Sequence, residues 1–269
     1  MKLSRIIILF LCAAAMVFVS GCYYLRLQEV KNQLADFDNY YILEESGQLS
    51  ISAKMPILYP DDIVRIVNSE PTAKEQTKSE LYYDYVLEKQ YQSAKNEQGD
   101  YNIKLRFLFA RGKLNKILID ERLFAIIPKN VIIALVRSFG SAKIDVKNQR
   151  FSLSVNVDKI HLPDANEVVA SLGKPYSQKD NTYAYNYLRK SLNAKNNDNG
   201  KLASAEFVFN KDGNCIKCRS KVFGIPFEMD LEKIVQKQKE QLPSGAKTSA
   251  GADPCSDGQA VQMEIIVNR

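Results

Sequence analysis

The chain has 269 residues, 45% of them hydrophobic and 25% charged, and its 37 basic against 31 acidic side chains give a net charge of +6. That length suits two domains better than one, taking roughly 100–200 residues as the usual domain size. The small, dispersed excess of positive charge, with no basic stripe interleaved with aromatic residues, argues against a nucleic-acid-binding protein.

The first 21 residues stand apart. Lys2 and Arg5 open a stretch in which Ile6 to Val19 carry no charge, and the small residues Ser20 and Gly21 precede Cys22. This is the layout of a secretory signal, and the uncharged run falls short of the roughly 20 apolar residues that span a bilayer. The string Val19-Ser20-Gly21-Cys22 resembles the lipobox of bacterial lipoproteins. That resemblance implies cleavage between Gly21 and Cys22, diacylglycerol on the Cys22 sulfur, and acylation of the new amino terminus by a fatty acid such as palmitate. Acyl chains at about 0.8 kcal/mol per buried CH₂ make a near-permanent anchor. Tyr23, where an aspartate would signal retention in the inner membrane, further implies the periplasm-facing surface of the outer membrane. Loss of residues 1–21 would leave 248 residues, 35 basic and 31 acidic, at net +4.

After Cys22, the apolar residues Leu27, Val30, Leu34 and Phe37 recur at helical spacing, which predicts an amphipathic helix between Cys22 and about Tyr41. No long tether separates it from the body. A pattern of about one hundred residues then runs twice. Leu49-Ser50-Ile51-Ser52-Ala53 returns as Phe151-Ser152-Leu153-Ser154-Val155, each alternating like a half-buried strand. Pro60-Asp61-Asp62 leads into one short helix and Pro163-Asp164 into another, with acidic residues in the first turn where the helix dipole favours them. The helices stop before Pro71 and Pro175. Tyr83-Asp84-Tyr85-Val86 is matched with Tyr185-Asn186-Tyr187-Leu188, a tyrosine-rich strand in each copy. Phe107-Leu108-Phe109 is matched with Phe207-Val208-Phe209, and a glycine hairpin follows each. Return strands reach Leu123-Phe124 and Val222-Phe223. Second helices are expected from Lys129 to about Phe139 and from about Met229 to Gln241. The terminal stretch Val261 to Val267 repeats the opening strand and is expected to close the sheet.

The expected fold class is α+β, a tandem repeat with antiparallel sheets covered on one face by helices. Its organisation is a signal peptide at 1–21, a lipid-anchored helix at 22–46, a first unit at 47–158, and a second unit with the closing strand at 159–269. One further resemblance concerns the second copy. Glu167-Val168-Val169-Ala170-Ser171-Leu172-Gly173-Lys174-Pro175, followed by Tyr183-Ala184-Tyr185, is similar to the helix, Gly-x-Pro and aromatic strand of small outer-membrane lipoproteins of the BamE and SmpA/OmlA type. Tandem units of related topology are also similar to β-lactamase inhibitor proteins. Such families act by binding other proteins, and this implies an interaction module of the cell envelope. The similarity covers about 60 residues, the first copy lacks the glycine before Pro71, and no binding residue carries over.

The cysteines left in an oxidising compartment are Cys215, Cys218 and Cys255. Cys215-Ile216-Lys217-Cys218 follows the hairpin signal Asp212-Gly213-Asn214 instead of opening a helix, which argues against a redox motif. With no second cysteine pair and no paired histidines there is no zinc set. A structural disulfide from Cys255 to Cys215 or Cys218 is expected, with the third thiol buried or free. His161 is the only histidine and reads as structural. Asp61 with Asp62, and Asp120 with Glu121, read as caps or solvated edges more readily than as paired catalytic carboxylates. Tyr82, Tyr83, Tyr85, Tyr183, Tyr185 and Tyr187 could line an aromatic face, though half of such a row usually belongs to the core. No cofactor, metal or catalytic residue is expected. The functional expectation is a non-enzymatic lipoprotein that reaches the membrane through Cys22 and binds envelope proteins at the outer membrane. The alternative is a carrier of lipid or another hydrophobic ligand between membranes, with the ligand itself unspecified.

Overall fold

The computed structural model describes residues 23–45, 48–92, 100–141, 143–145, 150–157, 163–189, 201–222, 225–230 and 261–268. Residues 23–35 form helix α1. Leu27, Val30 and Leu34 pack along it against the core, as the helical spacing predicts. Helix α2 (Phe37–Tyr40) follows, and buried Phe37 stacks on Tyr41 at 5.1 Å between ring centroids. The chain then lays down β1 (Tyr41–Glu44), β2 (Leu49–Ala53), α3 (Pro60–Val67), β3 (Ala73–Gln76), β4 (Glu80–Lys89), β5 (Ile103–Ala110), β6 (Lys113–Ile119), α4 (Leu123–Ile126) and α5 (Lys129–Ser138). Next come β7 (Lys143–Asp145), β8 (Arg150–Val157), α6 (Ala165–Leu172), β9 (Ser177–Lys179), β10 (Thr182–Arg189), β11 (Lys201–Phe209), β12 (Cys215–Val222), β13 (Ile225–Asp230) and β14 (Val261–Asn268). Helices together with a large antiparallel sheet make the protein α+β.

The main sheet has 11 strands, in the order β1-β2-β6-β5-β4-β10-β11-β12-β13, with β3 added to β4 and β9 to β10. Its centre is the antiparallel pairing of β4 with β10, where Leu87 faces Arg189, Glu88 faces Leu188 and Lys89 faces Tyr187. Positions 100 apart exchange partners about the Glu88–Leu188 pair, so the join has local two-fold symmetry. Each central strand gives the rest of the same edge to a short neighbour, β3 or β9.

The hairpins on either side of this join share further details. In β5–β6 the register shifts between Leu108 and Phe109, so that Phe107 faces Ile117 and Phe109 faces Leu114. In β11–β12 it shifts between Val208 and Phe209, so that Phe207 faces Cys218 and Phe209 faces Cys215. A bulge of this kind inserts one residue and re-aims those beyond it. Cys215 and Cys218, three apart and thus on opposite faces of a regular strand, are thereby both turned inward. Tyr85 donates its hydroxyl to the Ser69 carbonyl at 3.0 Å and Tyr185 to the Gly173 carbonyl at 2.9 Å, tying each central strand to the end of a helix, α3 or α6.

Several expectations are corrected. Tyr183 faces Phe207 as Tyr83 faces Phe107, whereas the sequence pattern sets Tyr83 beside Tyr185. Three tyrosines alternate at 183, 185 and 187, so a slip of two positions keeps every side chain on its own face and leaves the pattern unchanged. Leu123 and Phe124 lie in α4, not at the end of a strand. Asp120 ends β6 by accepting the Arg122 amide at 2.9 Å, and Leu123, Ala125 and Ile126 are then buried from a helical turn. Met229 sits in β13, opposite Cys218, where a helix was expected to begin. Ile225 pairs with Val222, so β13 continues the ladder on the free edge of β12, while Phe223 lies outside the described residues. The remainder of that expected helix, 231–241, lies outside the described residues. Finally, β8 and β14 belong to a separate three-stranded sheet with β7. The place that β2 holds beside β6 is held beside β12 by β13, and β14 does not close the main sheet.

Candidate functional site

The residues immediately after Cys22 are fixed to the body by a part-buried ionic fork. Arg26, one turn into α1, donates from Nε to Asp62 Oδ2 at 2.8 Å and from Nη2 to Asp62 Oδ1 at 2.6 Å. The Asp62 side chain is only 2% exposed, against 26% for Arg26. Asp62 Oδ2 also accepts the Tyr59 amide at 2.9 Å, so one carboxylate caps α3 and holds α1. Two parallel N–H···O bonds define direction as well as distance. The Arg26 guanidinium lies 5.0 Å from the Tyr59 ring centroid, and that of Arg65 lies 5.4 Å from the Tyr23 ring. At the far end of α1 an added Cβ on Gly140 would run into the backbone of Leu34 and Ala35, so that glycine permits close approach. Cys22 and residues 1–21 lie outside the described residues. No described helix is long and apolar enough to cross a membrane.

A groove of about 700 Å³ opens between α4–α5 and α6, lined by residues that include Phe124, Pro128, Ile133, Ala170, Glu121 and Glu167. Lys129 at its edge pairs with Glu45 at 2.8 Å. Asp120 and Glu121 are thus separated in role. Asp120 caps the turn that leads into α4, and Glu121 faces the groove.

The tyrosine rows are core. Tyr83, Tyr85, Tyr185 and Tyr187 are all buried and only Tyr82 and Tyr183 are half-exposed. Tyr83 meets Phe109 edge-on at 5.0 Å, and Tyr183 meets Phe209 at 4.9 Å. Burial alone pushes the Tyr41 hydroxyl up to about 12, and for Tyr187 burial, reinforced by Tyr185, raises it further. The Tyr187 hydroxyl has no hydrogen-bond partner among the described residues.

The thiols of Cys215 and Cys218 are buried and form no disulfide among the described residues. Burial pushes Cys215 up to about 11 and raises Cys218 further, so both are protonated and inert at neutral pH. Cys218 Sγ lies 3.5 Å from the Ile126 carbonyl and tethers β12 to α4. The expected partner, Cys255, lies outside the described residues, as does His161. Among the described residues no group of three or more His, Cys, Asp or Glu side chains is placed to hold a metal.

Two buried charged clusters were missed in the sequence. Lys89, 4% exposed, lies beneath three tyrosine rings, 4.7 Å from Tyr91, 4.9 Å from Tyr101 and 5.7 Å from Tyr185. It falls in the same alternating register as Tyr83, Tyr85 and Leu87, and that parity could have revealed it. Asp84, on the opposite face of β4, accepts both Arg106 nitrogens at 2.6 and 2.8 Å and pairs with Lys104 at 2.7 Å. Burial pushes the Asp84 carboxyl up, but the bonds from Arg106 and Lys104 outweigh it and hold the group below its ordinary range.

No family model matches this chain, and no curated protein or solved structure matches it either.

Proposed function

We propose that this protein is a lipid-anchored, non-enzymatic lipoprotein of the cell envelope that binds other proteins at the periplasmic face of the outer membrane. The observation that carries this is the Arg26–Asp62 fork, which locks the helix starting one residue after Cys22 onto the folded body. Acyl chains at position 22 would then hold the body itself at the bilayer, without a flexible spacer. A duplicated unit of about one hundred residues underlies the body in this proposal. Support comes from the matching bulges in β5–β6 and β11–β12, the matching Tyr85 and Tyr185 hydroxyl bonds, and the local two-fold exchange of partners between β4 and β10.

The carrier alternative has less support. The groove beside α6 carries Glu45, Glu121, Glu167 and Lys129 in its lining, and an acyl chain seated there would desolvate charges it cannot pair. Two measurements test the proposal. Fatty-acid labelling and membrane fractionation should both be lost in Cys22→Ala, and unchanged processing with undiminished membrane association would refute the anchor. Photo-crosslinkers at Ile133 and Ala170, activated in native membranes, should give discrete protein adducts, whereas adducts to lipid alone would favour the carrier.

A further inference from the structure

We infer that the face formed by the start of α1 and by α3, carrying Tyr24, Leu25, Tyr59 and Ile66, is the surface through which the body rests in the phospholipid headgroup layer. The inference rests on the lipid anchor proposed above. Helix α1 divides its apolar residues between two directions. Leu27, Val30 and Leu34 pack on the core, whereas Tyr24 and Leu25 point away from it, 73% and 70% exposed. Tyr59, the N-cap of α3, is 43% exposed, and Ile66 within that helix is 45% exposed. Tyr24 meets Tyr23 edge-on at 6.0 Å, and Arg65 of α3 lies over the Tyr23 ring, so the exposed start of α1 adjoins α3.

The position of the patch selects its partner. Tyr24 is two residues from Cys22, so its backbone cannot lie more than about 7 Å from that of the acylated residue. Chains inserted at Cys22 therefore bring Tyr24 and Leu25 to the level of the headgroups. Tyr59 is carried with them because Arg26 joins α1 to α3 through Asp62 while its guanidinium covers the Tyr59 ring. Lys113 lies 5.9 Å from the same ring centroid, and Arg65 lies over Tyr23. Tyrosines flanked by cations suit this layer, the rings entering the acyl boundary and the cations meeting lipid phosphates. Asp61, also exposed here, keeps the patch from being strongly cationic. Seating then depends on apolar contact and on phosphates common to all phospholipids, not on anionic headgroups.

The chain contains no tryptophan, so Tyr24→Trp, Tyr59→Trp and Phe139→Trp each introduce a single reporter into the full acylated protein. Phe139 is an exposed aromatic beside Gly140, which abuts the opposite end of α1, about 15–20 Å away along that helix. Each protein is reconstituted into phosphatidylcholine vesicles, with and without phosphatidylglycerol, and quenching by brominated acyl chains is read together with flotation. Emission at 24 and 59 should fall about twofold or more in both compositions, as expected for side chains roughly 5–10 Å into the headgroup boundary, while emission at 139 stays nearly unchanged. Protein that floats with the vesicles but shows no quenching at 24 and 59 overturns the seating surface and leaves the anchor standing. Quenching confined to phosphatidylglycerol vesicles overturns the claim that apolar contact governs it. Wild-type protein that fails to float overturns the anchor itself.

Discussion

Removing the Asp62 carboxylate tests whether the fork holds the first helix to the body. Breaking a buried ion pair by deleting one partner costs about 3–5 kcal/mol when the other charge is stranded. In Asp62→Ala the stranded group is Arg26, which is 26% exposed and regains water, so the pair contributes nearer 2 kcal/mol, to which a lost cap adds about 1. We expect a loss of about 3 kcal/mol, or roughly 6–12 °C in Tm for a chain of this size. Arg26→Ala should cost at least as much, because Asp62 is 1% exposed and cannot rehydrate in place. Asp62→Asn, which keeps an acceptor for the Tyr59 amide, separates the charge from the cap. Urea unfolding of the two single variants and the double variant gives the coupling, expected at about 2 kcal/mol. Hydrogen exchange should show residues 23–35 losing protection ahead of the sheet. A coupling below about 0.5 kcal/mol would be that of an ordinary surface pair and would refute the fork as the element that positions α1.

Tyr185→Phe gives up the bond to the Gly173 carbonyl and should cost about 1 kcal/mol, whereas Tyr187→Phe removes a hydroxyl with no partner among the described residues and should be neutral or stabilising. Thermal unfolding gives the order of the two, and the reverse order would contradict the pairing described. The Asp84 carboxyl is held low by Arg106 and Lys104. Its stabilising contribution is complete above the unfolded-state value of about 3.9 and is lost as pH falls through the lower folded-state value, so urea midpoints should drop below about pH 4. Asp84→Asn should flatten that limb, and an unchanged limb would assign the acid transition to other groups. Cys215 and Cys218 should resist alkylation in the native protein and both take up reagent on denaturation without reductant. Recovery of either in a peptide bridged to Cys255 would count against free thiols.

The candidate site was partly legible. Leu27, Val30 and Leu34 marked the buried side of α1 by spacing alone, and the acidic start of α3 was evident at Asp61 and Asp62. That Asp62 would receive Arg26, 36 residues earlier, was not, because no periodicity relates an arginine on one helix to the cap of another. Lys89 gave a conflicting signal, because a charged residue at the end of a strand ordinarily faces water. The alternation through Tyr83, Tyr85 and Leu87 pointed inward, but only packing could show three tyrosine rings waiting there.

By itself the order of residues determined the local elements: the helical stripe of α1, the capped helices α3 and α6, the Tyr- and Phe-rich strands and their glycine turns. Each rests on contacts or dihedral preferences within a few positions, which a linear pattern records. Tertiary structure alone decided which strand edges meet. An edge accepts any strand able to reach it in register, and a run such as Tyr183 to Tyr187 fits equally well after a slip of two. The outcome was therefore set by the whole fold: β13 lies beside β12, β8 and β14 pair in a sheet of their own, and β4 joins β10 at the centre of the main sheet.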